Sequence, residues 1–223
     1  MAEYKSLLNG SMKNRIAYTY SALRINSLFK EVTSATVSLV YTMHIEQHYF
    51  LPVADLNNGK QLTALAPANV PVLYRWWFPK ESAIIHIIEA YVDAHPRDYK
   101  MLYMKNNLKI RTFDVNGKTQ DYYALYFGKS SDGHRRFYNH IRGPQSNSTL
   151  RRTIAALLGN DDEDTISAIL MECCYEWVEF ANDPELIDSI EMMAIAMGSY
   201  PLNIDGNQGV SSDWKQHLKN NRK

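Results

Sequence analysis

The densest run of reactive side chains in this sequence is the stretch YFGKSSDGHRRFYNH, residues 126–140. A solvated helix face is the commonest explanation for a basic run. It does not explain why Arg136 and His140 stand four residues apart, a spacing that would project both side chains from one face of a helix. In that arrangement a guanidinium can hold a phosphate group while an imidazole lies within reach of the same centre.

Glu191 is the candidate metal ligand. It lies beside Ile190 and one turn after Ile187, so it borders the apolar stripe of a predicted helix, where an unpaired carboxylate would be costly. A bound Mg²⁺, or Mn²⁺ in its place, would resolve that cost. Magnesium takes one or two protein carboxylates and completes its octahedron with water and substrate phosphate oxygens.

Tyrosine side chains are the candidates for handling the water that hydrolysis of a phosphodiester requires. The reaction also needs charge neutralisation at the phosphorane and help for the leaving oxygen. Tyr74 and Tyr126 could hold or deprotonate this water. Because a phenol titrates near ~10, a tyrosine base at neutral pH would need nearby cations, Lys129 and Arg136, or a relay through His140.

The strands that must carry these tyrosines are predicted from residue 70 onward. "VPVLYRWWFP" alternates apolar residues and ends at a proline, which predicts a strand that carries Tyr74. "NLKIRTFDVNGKTQDYYALYFGK" places Asn116-Gly117 between two alternating runs, which predicts a hairpin whose second strand carries Tyr126. "CYEWVEFA" predicts a further strand.

The helices are predicted from their caps. Ser131 or Asp132 caps the helix that carries Arg136 and His140, and the next helix begins at Ser148 and ends at Gly159. "ESAIIHIIEAYVDAH" and "DTISAILMEC" predict two more helices. The helix that carries Glu191 opens with Asp183 as cap and Pro184 at its first position, and ends at Gly198.

This ordered series of residues and elements resembles the GIY-YIG nuclease family. The first motif of that family ends in tyrosine, here Tyr74 in "VLY", and the second is represented by "YFGK", residues 126–129. Arg136 follows, with His140 one turn later, and Glu191 lies on a helix ahead of an asparagine in "YPLN". The resemblance covers roughly residues 70–207 and implies the following catalytic set: Tyr74, Tyr126, Arg136, His140, Glu191 and Asn203.

The resemblance also implies a fold and a domain organisation. The fold is α/β (α+β), with a small central antiparallel sheet flanked by helices. The two tyrosine motifs lie much farther apart here than in the family, so we expect an insertion at about 79–107. We assign residues 1–65 to an N-terminal extension, 66–210 to the nuclease domain and 211–223 to a basic tail. Within residues 12–45 the patterns favour a helix and then a strand, and Asn58-Gly59 favours a turn.

The distribution of charge matters more than its total, which is zero from 24 basic and 24 acidic residues. Residues 129–152 hold six Lys or Arg and only one acid, whereas residues 153–191 hold eleven acids and no base. A local positive segment can collect a polyanion even when the whole chain is neutral. We therefore predict contact with double-stranded DNA through this segment, by way of Lys129, Arg142, Ser148, Arg151 and Arg152.

The composition favours a soluble globular protein. The sequence has no apolar run of about eighteen residues and no signal-peptide pattern, so we expect a cytoplasmic protein that neither spans a membrane nor is secreted. The two cysteines, Cys173 and Cys174, are sequence neighbours and are expected to be buried thiols rather than an ordinary disulfide.

We therefore interpret the chain as a Mg²⁺-dependent DNA endonuclease, restriction-like and possibly a homodimer on DNA. A repair or mobile-element nuclease is an alternative with the same chemistry and another target. A nucleic-acid-binding module without turnover is an alternative of a different class, against which the presence of Glu191 and Arg136 argues.

Overall fold

Five antiparallel strands form one sheet at the centre of the computed structural model, which describes residues 45–58, 61–115, 117–160, 162–180 and 184–221. The spatial order is β1-β5-β2-β4-β3. Along the chain the strands are β1 Ile45–Pro52, β2 Val72–Pro79, β3 Ile110–Val115, β4 Lys118–Ser130 and β5 Cys174–Phe180. The predicted α+β fold with a central antiparallel sheet is confirmed.

Helices cover both faces of this sheet. They are α1 Val53–Leu56, α2 Ala83–Ala94, α3 Tyr99–Asn106, α4 Gly133–Ile141, α5 Thr149–Leu158, α6 Glu163–Met171, α7 Pro184–Met197 and α8 Ser212–Asn221. Asp132 and Ser148 cap α4 and α5 as predicted, and Gly159 ends α5 at φ 61°. The predicted cap Asp183 lies outside the described residues.

The central strand β2 is buried along its whole length, because both of its faces are covered. Tyr74 and Trp76 point into the core that α2 to α6 and α8 help to form. Leu73 and Trp77 point into a second core, which α7 closes with Ile187, Ile190 and Ala194. The sheet is therefore the middle layer, and residues on opposite faces of β2 belong to different cores.

Residues 45–56, which fall within the predicted N-terminal extension of residues 1–65, pack with the sheet. β1 pairs with β5 along its length, and Val53 and Leu56 of α1 are fully buried. "IEQHYFLP" lacks regular alternation, which is why its sequence did not identify it as a strand. The helix and strand predicted before residue 45 lie outside the described residues, as does Gly59 of the predicted turn.

The segment predicted as a basic C-terminal tail is instead the packed helix α8. Trp214 and Leu218 are fully buried, and the Trp214 Nε1–H donates to the Pro201 carbonyl at 2.9 Å. Two apolar residues at i and i+4 are enough to fix a helix whose other positions are polar. Over the ranges that the structure covers, no helix has both the length and the apolar character needed to cross a bilayer.

Candidate functional site

The pairing of β2 with β4 brings the two predicted tyrosines together across the long interval between them. Tyr74 lies opposite Gly128, and Trp76 lies opposite Tyr126. The register then shifts, so that Trp77 lies opposite Ala124 and Leu125 is the extra residue of a bulge. Without this bulge Tyr126 would point to the same face as Ala124. The ring centroids of Tyr74 and Tyr126 are 6.3 Å apart, and the prediction that they lie on adjacent strands is confirmed.

Gly128 provides the space that the Tyr74 ring occupies. A Cβ atom at this position would lie 2.6 Å from both Cζ and Oη of Tyr74, well inside van der Waals contact. The glycine of "YFGK" therefore has a steric reason: the phenol of one strand lies directly against the backbone of the next.

A buried hydrogen-bond chain runs from Tyr74 into the helical layer. The Tyr74 hydroxyl lies 2.9 Å from Nε2 of His140, whose Nδ1 lies 2.7 Å from Oγ of Ser148. Ser148 also accepts the Arg151 backbone N–H as the cap of α5. The two tautomers of His140 give the chain opposite directions: in one Tyr74 donates to His140, and in the other it accepts from it.

Burial fixes the charge states of Tyr74 and His140, the two titratable groups of this hydrogen-bond chain. It raises the pKa of Tyr74 well above its ordinary value, and the neighbouring Tyr126 acts in the same direction. Burial likewise lowers the pKa of His140 well below its ordinary value, assisted by the charges of Arg136 and Arg151. At neutral pH a phenol and a neutral imidazole therefore face each other, so the Tyr74 phenolate considered from sequence is not the resting state.

A cleft of about 390 Å³ opens beside this chain and contains three of the predicted residues, Tyr126, Glu191 and Asn203. Asp205 and Gln208 line it as well. Tyr74 and His140 are buried behind Tyr126, with 1% and 0% of their surface exposed. Tyr126 is thus the phenol on the cleft wall, and the other two residues support it from the core side.

Glu191 is held in the cleft by Lys129. The Lys129 ammonium lies 3.2 Å from Glu191 Oε2 and 2.6 Å from Asp188 Oδ1, one turn earlier on α7. Burial raises the pKa of Glu191, an effect that Lys129 only partly opposes. Burial alone would lower the pKa of Lys129, but its hydrogen bonds to Asp188 and Glu191 outweigh this and raise that pKa.

The surroundings of Glu191 fit a hard divalent cation. The carboxylate is 19% exposed in an open cleft, and burial disfavours its negative charge, so a cation would stabilise it. Glu191 is the carboxylate that could hold the ion, while water and a substrate phosphate complete its coordination.

Arg136 is half-buried near the phenols. Its charge lowers the pKa of His140 and opposes the rise in the pKa of Tyr74 and of Tyr175 that burial causes. Its guanidinium makes no ion pair with any acid that the structure describes. Arg136 is therefore a cation beside the Tyr74–His140 hydrogen bond, and it is available to bind an anionic ligand.

Asn203 has both of its side-chain polar atoms engaged with β4. Its Oδ1 accepts the Phe127 backbone N–H at 2.8 Å, and its Nδ2 donates to the Phe127 carbonyl at 2.7 Å. The Leu202 N–H donates to the Leu125 carbonyl at 3.0 Å. Residues 202–203 thus provide hydrogen-bond partners for the backbone of β4 where β3 no longer pairs with it, and they hold the strand in place next to Tyr126.

Two of the predicted DNA contacts, Ser148 and Arg151, are buried inside the protein. Ser148 is fully buried between His140 and the start of α5. Arg151 is 1% exposed; it donates to the carbonyls of His140 and Glu163, and it pairs with the Glu163 carboxylate. Neither side chain faces solvent, so neither can contact a phosphate in this arrangement.

The other two predicted arginines are half-buried at the surface. Arg142 donates to Oδ1 of Asn57, and Arg152 lies 3.4 Å from Oγ1 of Thr149. Lys129, the remaining predicted DNA contact, is occupied by Asp188 and Glu191. A DNA role for these three residues stays a prediction.

Sequence reasoning missed two residues at this site. Tyr175 of β5 stacks on Tyr74 at 5.5 Å, and its hydroxyl is buried without a hydrogen-bond partner among the residues that the structure describes. Asp205 lines the cleft two residues after Asn203. The alternation of Tyr175 and Trp177 in β5 could have indicated that both face the Tyr74 layer. The position of Asp205 depends on the turn after Asn203, for which the sequence carries no comparable signal.

Comparison with known proteins agrees with this geometry. A family model described as GIY-YIG catalytic domain matches residues 72–223, which is more than half of the chain. No curated protein and no solved structure matches the chain.

Proposed function

Because this chain belongs to the GIY-YIG nuclease family, we propose that it is a DNA endonuclease that hydrolyses phosphodiester bonds at the cleft of Tyr126 and Glu191. The observation that carries the proposal is the convergence of Tyr126 and Glu191 on one cleft, with Tyr74 and His140 hydrogen-bonded behind it and Arg136 beside them. A carboxylate for a cation, a guanidinium for the phosphate and phenols for water are the groups that such a hydrolysis needs.

Glu191 would hold a Mg²⁺ or Mn²⁺ ion, which when bound supplies positive charge at the phosphate oxygens. Lys129 already neutralises Glu191 in the resting protein and has a second partner in Asp188. When a cation binds Glu191, Lys129 can remain paired with Asp188, and its positive charge then stays beside the cleft.

Arg136 would bind the scissile phosphate and stabilise the charge that develops on it. Its guanidinium can make two parallel hydrogen bonds to phosphate oxygens, an arrangement that an ammonium cannot reproduce. Arg136 lies one turn before His140 on α4, and His140 and Tyr74 both lie against Tyr126, so a phosphate bound by Arg136 would lie toward Tyr126.

Tyr126 would orient the attacking water from the cleft wall. Tyr74 does not reach the cleft surface, so we assign it, with His140 and Ser148, to positioning Tyr126 and to moving a proton along the chain. The neutral imidazole can accept the Tyr74 proton in the tautomer whose Nδ1–H donates to Ser148. Asn203 is a positioning residue because it contacts β4 and no reacting atom.

Within the family, we propose a stand-alone enzyme that is restriction-like, acts on double-stranded DNA and works in the cytoplasm, with a homodimer on DNA as a candidate assembly. Support for added recognition surface comes from α2 and α3, which occupy the predicted insertion between the tyrosine strands. The alternative of a repair or mobile-element nuclease shares the site and differs in its substrate.

The test is incubation of the full chain with plasmid and phage DNA in Mg²⁺, in Mn²⁺ and in a chelator, followed by mapping of the product ends. We expect metal-dependent cleavage. Discrete bands would support the restriction-like assignment, and dispersed ends would contradict it. Binding without cleavage in either metal would contradict the proposed nuclease activity and favour the binding-module alternative.

A further inference from the structure

Helix α3 presents apolar residues on two faces, and only one of them is buried. Met101 and Met104 point into the core. Tyr99, Leu102 and Tyr103 point outward and are 75%, 37% and 68% exposed. Their spacing of i, i+3 and i+4 makes them one continuous row, here called the α3 stripe. An outward apolar row of this kind typically marks an interaction surface.

The border of the α3 stripe is cationic. Arg97 and Lys100 are exposed, and neither forms an ion pair with an acid in the ranges that the structure covers. The nearby Asp98 is occupied, since it caps α3 through the Met101 N–H and accepts a hydrogen bond from Ser211. Asp98 and Asp213 lie on the same surface, but neither pairs with Arg97 or Lys100. The surface therefore combines aromatic and apolar side chains with two exposed cations that can contact an anionic ligand with apolar faces.

The α3 stripe is connected to the candidate active site through one short segment. The Lys100 ammonium donates to the Gln208 carbonyl at 3.2 Å, and Gln208 lines the cleft of Tyr126 and Glu191. Met104 packs on the same segment, since a Cβ at Gly209 would lie 3.3 Å from its Cε. A DNA strand that leaves the cleft past Gln208 meets α3 next.

We propose that the α3 stripe stacks on unpaired bases of the DNA strand whose scissile phosphate lies in the cleft. The inference rests on the proposed nuclease function and specifies its substrate class: DNA with unpaired nucleotides beside the cleavage site. In a duplex the faces of paired bases are stacked on one another, so a protein surface can contact mainly the phosphates and sugars. The phenol hydroxyls of Tyr99 and Tyr103 can contact phosphates, but their ring faces and Leu102 gain little from such a backbone. Aromatic rings stack well on exposed bases of any sequence.

The proposal bears on the choice between the two nuclease classes. A fully paired recognition site leaves the α3 stripe without a ligand, whereas tailed or branched DNA supplies one. A measured preference for tailed or branched DNA would therefore revise the restriction-like assignment in favour of the repair or mobile-element alternative.

The experiment measures binding of the full chain, in a chelator, to a blunt labelled duplex and to the same duplex with an unpaired tail. We expect the native chain to prefer the tailed duplex by about tenfold, the scale of one base-aromatic stack. The double variant Tyr99→Ala/Tyr103→Ala should bind the blunt duplex as before and lose the preference. Both residues are exposed, so this variant should keep its circular dichroism spectrum and unfolding midpoint.

Tyr138→Ala is the matched control, because Tyr138 is an exposed tyrosine on α4 and should leave the preference intact. Equal affinity of the native chain for both duplexes, or a preserved preference in the double variant, overturns the proposal. Self-association of the native chain that the double variant abolishes also overturns it, since the stripe would then be an interface between copies. Cleavage of plasmid DNA by a chain with no tail preference would reject this inference alone, whereas a chain that neither binds nor cuts any DNA would reject the proposed function too.

Discussion

At the scale of single residues, two arginines of the same basic segment serve different purposes. Arg136 is half-buried beside the phenols and has no acidic partner in the described part of the chain. Arg151 is enclosed between α4 and α6, where its two terminal nitrogens bind His140, Glu163 and Ser167. The first is available to a phosphate and the second ties two helices together.

Arg136→Ala should lower the cleavage rate by on the order of 10²-fold or more, since it removes a charge-stabilising group. Arg151→Ala should instead destabilise the fold by about 1–3 kcal/mol, since it removes the donor that the buried carbonyl of His140 accepts from and cuts the link to the exposed Glu163. Cleavage kinetics and denaturant unfolding of both variants check this pair. Loss of DNA affinity alone in Arg136→Ala would mean that Arg136 is only a phosphate contact.

His140 should make the protein less stable in mild acid. Its pKa in the folded state lies well below the value of about 6.5 that it takes when unfolded. Below that pH the unfolded chain binds a proton that the folded chain does not. Stability present above about 6.5 is therefore lost as pH falls, at up to about 1.4 kcal/mol per pH unit.

His140→Gln is the comparison for this pH dependence, because an amide can bridge Ser148 and Tyr74 without titrating. Its free energy of unfolding should depend less on pH between 5 and 7 than that of the native chain. If the unfolding free energies of the two proteins changed with pH in parallel, His140 would be protonated as readily in the folded state as in the unfolded state, which would contradict the prediction.

The identities of the site residues could be predicted from the sequence, but the extent to which each side chain is buried could not. Tyr126, Glu191 and Asn203 reach one cleft as expected from the motif series. Ser148 and Arg151 looked like surface contacts because helix spacing alone does not reveal which face another helix covers. Their burial depends on α6, whose Glu163 and Ser167 meet Arg151 only in the folded chain.

At the scale of elements, the site depends on how β4 is shaped between its neighbours. The bulge at Leu125 turns Tyr126 toward the face of Tyr74, Gly128 lets the Tyr74 ring lie against the strand, and Asn203 secures the free edge. Alternation in the sequence predicted a strand here. It could not predict the bulge, which arises from pairing with β2 and decides which tyrosine meets the cleft.

Gly128→Ala should displace the Tyr74 ring and break its hydrogen bond to His140. We expect a loss of about 1–3 kcal/mol in unfolding free energy, the usual cost of overpacking a core, and slower cleavage. In a Tyr74→Ala background, where no ring is displaced, the same substitution should cost much less. Denaturant unfolding of the four proteins measures the coupling, and equal costs in both backgrounds would disprove the steric account of this glycine.

At the scale of the whole molecule, the sheet separates two cores, and the cleft forms where α7 and the segment after it meet β4. From residue 70 to residue 198 the elements other than α3 were predictable, because alternation, turn residues and helix caps agree there. β1 and α8 were not, because each buries few apolar residues and depends on a partner distant in sequence: β5 for β1, and Pro201 for Trp214 of α8.

The most direct test of the central claim, that the cleft of Tyr126 and Glu191 cuts DNA, is the cleavage rate of Glu191→Gln in Mg²⁺, measured beside its affinity for the same DNA. Asp205→Asn is the matched control, since it neutralises the other carboxylate that lines this cleft. We predict that Glu191→Gln binds DNA about as well as the native chain and cuts it at least ~10²-fold more slowly, while Asp205→Asn keeps most of its activity. Substantial Mg²⁺-dependent cleavage by a folded Glu191→Gln protein would contradict the account.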